Sequence, residues 1–147
     1  MVDGRTEMDS DMLKIRIETI PHDRHRYPTV GDYWDDPDGT LQLRITDLGD
    51  RRLELLIALH ELIECELCRQ RGIAEPDIMA FDLAFEKEIE AGECDEDEEP
   101  GDDPRAPYHR EHVYATNVER MLAYEMGVNW DEYGERLDEL YEARAEA

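Results

Sequence analysis

The chain has 147 residues, and we read it as one domain over residues 1–147 with a core of its own. It carries 16 Lys and Arg against 40 Asp and Glu, a formal net charge of -24. Such a surface repels phosphates and anionic membranes and attracts cations and basic partners, so direct nucleic-acid binding and membrane binding are excluded while charge mimicry of DNA is not. No run of about 20 apolar residues is present, and residues 1–5 lack the apolar core of a signal peptide. Three cysteines, Cys65, Cys68 and Cys94, are too few and odd in number for a disulfide scaffold, so a reducing cytoplasm is the expected compartment.

Residues 1–11 are polar and expected to fray. Residues 12–20 alternate apolar and polar, which predicts a strand with Leu13, Ile15 and Ile17 inward, ended by Pro21. Residues 22–40, rich in Pro, Gly and Asp, read as a loop closed by the Asp38-Gly39 turn signal. Its start, residues 22–27, is locally basic and suits either a solvated loop or a dock for a carboxylate. Residues 41–45 alternate again, and the two strands are expected to pair antiparallel.

A helix is predicted over residues 51–71, capped near Asp50 and stopped by Gly72. A second starts near Glu75-Pro76 and runs through Phe81, Phe85 and Ile89. In residues 93–103, eight of eleven are acidic, which reads as a solvated linker, expected to be disordered. A third helix spans about 108–126, and a last short one about 131–144.

The 51–71 helix carries the chemistry. With Leu53 set at zero and about 100° per residue, Leu56, Ile57, Ile63, Leu67 and Cys68 form one apolar stripe. His60 and Glu64 fall about 20° on either side of its centre, and Glu61 at about 80°, on its edge. An unpaired buried carboxylate costs several kcal/mol or more, about the scale of a whole buried ion pair's desolvation. Glu64 must therefore be protonated, paired or metal-bound. One divalent ion satisfies both side chains, because positions i and i+4 project from one side; a plain His60–Glu64 hydrogen bond is the alternative.

His60-Glu61-Leu62-Ile63-Glu64 resembles the zincin metallopeptidase motif His-Glu-x-x-His on a helix. The resemblance implies metal ligands at His60 and Glu64 and a general base at Glu61 that activates water. Glu64 stands where zincins have a second His. A carboxylate there keeps zinc plausible as the ion and makes manganese or iron better alternatives. The strand at residues 41–45 before the motif helix also fits the zincin layout. The acidic balance and the segment Glu119-Arg120-Met121-Leu122-Ala123 resemble small proteins carried by bacteriophages of actinobacteria, which implies no activity.

Further ligands must come from elsewhere. In the third helix His112 and Glu119 flank the apolar side of Ala115, Val118, Leu122 and Met126, and His109 points away. His112 is the expected third ligand, with Glu119 as a further ligand or an orienting partner. Asp82, between Phe81 and Phe85, is a candidate fourth ligand or acceptor, unless it is an exposed helical Asp. Cys65 and Cys68, mid-helix, read as buried structural cysteines.

The expected fold is α+β, a small antiparallel sheet against three or four helices with the metal between the first and third. Two functions lead at this point, ahead of a carboxylate-bridged two-metal helical protein, for which the sequence lacks the Glu-x-x-His pairs. One is a zincin-like metal-dependent hydrolase, peptidase-like, taking a peptide. The other is a non-enzymatic acidic protein with a structural metal that binds a basic protein or mimics DNA.

Overall fold

A computed structural model describes residues 12–95 and 98–145, with the side chains of residues 142–145 left aside. The expectation for residues 1–11 lies outside the described residues. Among the described residues three strands, β1 (Ile15–Ile20), β2 (Gly31–Asp35) and β3 (Leu41–Thr46), are followed by four α-helices. These are α1 (Arg51–Gln70), α2 (Glu75–Glu90), α3 (His109–Glu125) and α4 (Trp130–Ala145). The class is α+β, as the patterning predicts.

The sheet corrects two expectations. Its order is β1-β3-β2, and β1 runs parallel to β3, with Ile15 opposite Leu41 and Ile20 opposite Thr46. The antiparallel partner of β3 is β2, inside the segment read as a loop. Alternation tells which side of a strand is buried and nothing about its neighbour, so the parallel pairing was not in the pattern. Strand β2, Gly-Asp-Tyr-Trp-Asp, has no aliphatic alternation, because one of its faces carries Asp32 and Trp34 under Arg26 and Arg44. The β2–β3 hairpin closes through Gly39 at φ +88°, with Asp36 N–H donating to the Thr40 carbonyl at 2.9 Å.

Leu41, Leu43 and Ile45 turn toward α1, where Leu43 and Cys65 share a core with Ile15, Tyr33 and Leu62. The helix lies over β2 and β3. Edge strand β1 therefore lacks a full cover: Leu13 is 76% and Ile17 48% exposed, and only Ile15 of the three expected inward residues reaches the core.

Helix α1 starts where the Asp50 carboxylate accepts the Arg52 N–H at 3.0 Å. It ends at Gly72, φ +68°, as the Ile73 N–H returns to the Cys68 carbonyl. It packs along α3, whose Ala115 and Ala123 are fully covered and let the two backbones approach. Beside them Ile45, Leu56, Ile57 and Tyr133 of α4 close the main core.

Leu43→Ala should cost about 2–5 kcal/mol, the usual range for an emptied core leucine site. Ile17→Ala should cost under about 1 kcal/mol, as expected for a half-exposed site. Urea denaturation of the two variants checks the assignment of the buried face; equal losses would contradict it.

Candidate metal centre

Helix α1 supplies His60 and Glu64, and α3 supplies His112 and Glu119, seven residues apart on one face. All four are buried. His60 Nε2 lies 3.0 Å from Glu64 Oε2, and His112 Nδ1 lies 2.9 Å from the same oxygen. The two nitrogens are 3.2 Å apart. Three donor atoms thus form a triangle with edges of 2.9–3.2 Å.

An ion about 2.0–2.2 Å from each donor would set neighbouring donors about 2.8–3.6 Å apart, so the triangle is a ready face of a coordination polyhedron. Glu64 Oε2 can accept from both rings, but the two nitrogens stand only 3.2 Å apart, so two N–H groups there would crowd each other. One cation would satisfy all three lone pairs together. Among the described residues His60, Glu64 and His112 form a group able to hold an ion.

The outer nitrogen of His60 is held as well. His60 Nδ1 donates to Glu119 Oε1 at 2.9 Å, and the other oxygen of Glu119 accepts the Tyr133 hydroxyl at 2.5 Å. This buried chain fixes the His60 ring with Nε2 inward, the arrangement that orients imidazole ligands. Of the two roles open to Glu119, orienting partner is the one the geometry supports.

His112 Nε2 faces Glu99 Oε2 at 3.2 Å and Asp102 Oδ1 at 3.1 Å. Both come from residues 93–103, read as a linker. That reading needs correction at its C-terminal part, where Pro100–Asp102 forms a 3-10 turn with Gly101 buried. The turn is anchored because Gly101 lies close against His112, where any β-carbon would collide with Cγ and Nδ1. His109 donates through Nδ1 to the Gly101 carbonyl at 2.9 Å, so it holds the turn and not the cluster. Eight acids in eleven residues hid this in the sequence; the Pro-Gly pair was the one available signal of a fixed turn.

Glu61 is half-buried beside the cluster. Its side chain fills the space over β2 at Gly31, where a β-carbon would stand 2.7 Å from Glu61 Cγ. Gly31 is thus the residue that admits Glu61, and nothing in its sequence context pointed to it. Asp82 is not brought into the cluster; it accepts the Tyr108 hydroxyl at 2.5 Å. Glu111 pairs with Arg71 at 2.5 Å across α3 and the end of α1.

The electrostatics follow from these contacts. Burial opposes charge on His60, but hydrogen bonds to Glu119 and Glu64 outweigh it and push its pKa up to about 10. Burial also opposes charge on His112, and Asp102, Glu64 and Glu99 raise it to about 12. Burial would raise Glu64, yet hydrogen bonds from His112 and His60 hold it below the usual carboxylate range. Glu61 has no such bonds; burial and the charge of Glu64 lift it well above its ordinary value. Burial lifts Asp82 to about 6 against the Tyr108 hydrogen bond.

A second concavity of about 280 Å³ lies on the opposite face of the sheet, lined by Arg24, His25, Arg26, Asp32, Trp34 and Arg44. The basic segment at residues 22–27 folds over this face, where Arg26 forks onto Asp32 at 2.7 and 2.9 Å. It docks a carboxylate of its own chain.

No family model, curated protein or solved structure matches the chain. The site is read from its geometry.

In metal-free protein the raised pKa values of His60 and His112 add stability that is complete below their ordinary 6.5. It is lost as pH rises, through about 10 for His60. The raised carboxyls of Glu61 and Asp82 act in the same direction from lower pH. Thermal scans of the metal-free protein should show the melting temperature falling between about pH 6.5 and 10, the interval bounded by the ordinary and raised histidine values. A flat or rising profile would show that the two imidazoles are not charged.

Proposed function

We propose that this chain is a zincin-like metal-dependent hydrolase in which His60, Glu64 and His112 hold a divalent ion and Glu61 is the general base. The observation that carries the reading is the buried triangle of His60 Nε2, His112 Nδ1 and Glu64 Oε2, with Glu119 bonded behind the His60 ring.

Two imidazoles and one carboxylate suit zinc best, with manganese and iron next. Three converging protein donors would leave a coordination position of a bound zinc ion for water, as in catalytic sites, whereas structural zinc is closed by four. This favours the hydrolase over the acidic interaction protein with a structural metal. When bound, the ion would act as a Lewis acid toward water and a carbonyl-type substrate.

The residues of the chain do the rest. Glu64 and the Glu119–Tyr133 pair keep the His60 ring fixed. Glu61, next to the cluster and held by the glycine at 31, accepts a proton from water and returns it to the leaving group. An amide or ester is the substrate class that this chemistry attacks, and a peptide is the one the motif resemblance implies.

Glu61→Gln and Glu64→Gln separate the roles. Glu61→Gln should keep the ion and the chelator-sensitive melting temperature but lower hydrolysis of a peptide library by about a hundredfold or more, the scale of a lost general base. Glu64→Gln should lose the ion on gel filtration, because a neutral amide is a poor ligand. Loss of the ion in Glu61→Gln would make Glu61 a ligand and contradict the assignment.

A further inference from the structure

The turn that follows the acidic run presents a feature the inner triangle does not use. His112 is 4% exposed, and its Nε2 has no hydrogen-bond partner. Glu99 and Asp102 lie 3.2 and 3.1 Å from that nitrogen, but neither accepts its N–H in hydrogen-bonding geometry. One carboxylate in line with the N–H is enough to orient an imidazole. Here two carboxylates, three residues apart, approach the same nitrogen and neither takes its proton in line.

Donors around one ion stand in that relation. Each lies about 2.0–2.2 Å from the ion and about 2.8–3.6 Å from its neighbours, so a second oxygen sits well off the nitrogen's own axis. The three donor atoms also lie within 4.8 Å of one another. We infer that Glu99, Asp102 and Nε2 of His112 form a second divalent-cation site, outside the inner triangle and sharing His112 with it.

The two carboxylate side chains are 40% and 60% exposed, so this outer site opens to solvent while the inner one is buried. The shared ring offers Nδ1 inward and Nε2 outward. When the outer ion binds, a bond forms from it to Nε2 and the Nε2 proton leaves to solvent; no electron transfer is involved. Gly101 keeps the turn on the ring, so both carboxylates arrive at the same edge of His112. A donor set of one imidazole and two carboxylates takes zinc, manganese or iron in preference to calcium.

The site goes beyond the inner reading, because Glu99 and Asp102 approach Nε2 of His112 and not the Nδ1 that faces the triangle. The test uses full-length protein stripped of metal, titrated with Zn²⁺ and Co²⁺ at physiological ionic strength. Bound ions are counted by elemental analysis and calorimetry, and cobalt spectra report imidazole ligation. The double variant Glu99→Gln/Asp102→Asn should bind one ion fewer than the wild type and keep its circular dichroism. Asp131→Asn/Glu132→Gln, an exposed acidic pair on α4, should lose none. An unchanged ion count in the first variant, or the same loss in both, overturns the outer site; unchanged count with weaker inner binding would make Glu99 and Asp102 positioning residues only. His60→Ala tests the inner reading separately: it should remove the inner ion and leave the one that depends on Glu99 and Asp102.

Discussion

A carboxylate with almost no access to water, Glu64, sits between two imidazoles contributed by different helices. Its desolvation would cost several kcal/mol if it stood alone, more than most single contacts in a domain supply. The cost is offset only while α1 and α3 keep His60 and His112 in place. The close packing of these two helices, the covered alanines at 115 and 123 and the buried Glu119–Tyr133 bond all serve that placement. Disturb the helix pair and the charge is stranded; remove the charge and the reason for two buried histidines goes with it.

The surroundings are fitted to the cluster by close backbone approach. Gly31 lets β2 come up to Glu61, and Gly101 lets the 100–102 turn lie on the His112 ring. Neither glycine is at a positive φ, so both are there for space and not for backbone freedom. The net charge of -24 is consistent with this design. An acidic exterior raises the local concentration of cations, and the anchored end of the acidic run brings Glu99 and Asp102 to the edge of the site.

Helical periodicity made the inner half of the site legible. It placed His60 and Glu64 on the buried stripe of α1, set Glu61 at its edge, and chose His112 over His109 by the same angular argument. What it could not reach depends on partners far along the chain. Strand alternation gave the buried side of β3 but not the parallel neighbour β1, and it passed over β2, whose buried polar Asp32 is paired to Arg26. The acidic turn was lost because composition argued for solvent, while its placement is decided by one glycine lying close against one histidine. Asp82 lies among phenylalanines in the sequence, a ligand-like setting, but a tyrosine from beyond the acidic run takes its carboxylate.

Metal-dependent chemistry in this chain requires an ion between His60, Glu64 and His112. X-ray absorption of protein loaded with one equivalent of Zn²⁺ tests this directly. A first shell of nitrogen and oxygen at about 2.0–2.2 Å is expected, with the outer-shell scattering of two imidazoles that is lost in His60→Ala. A first shell of oxygen alone, without imidazole scattering and unchanged in His60→Ala, would contradict it.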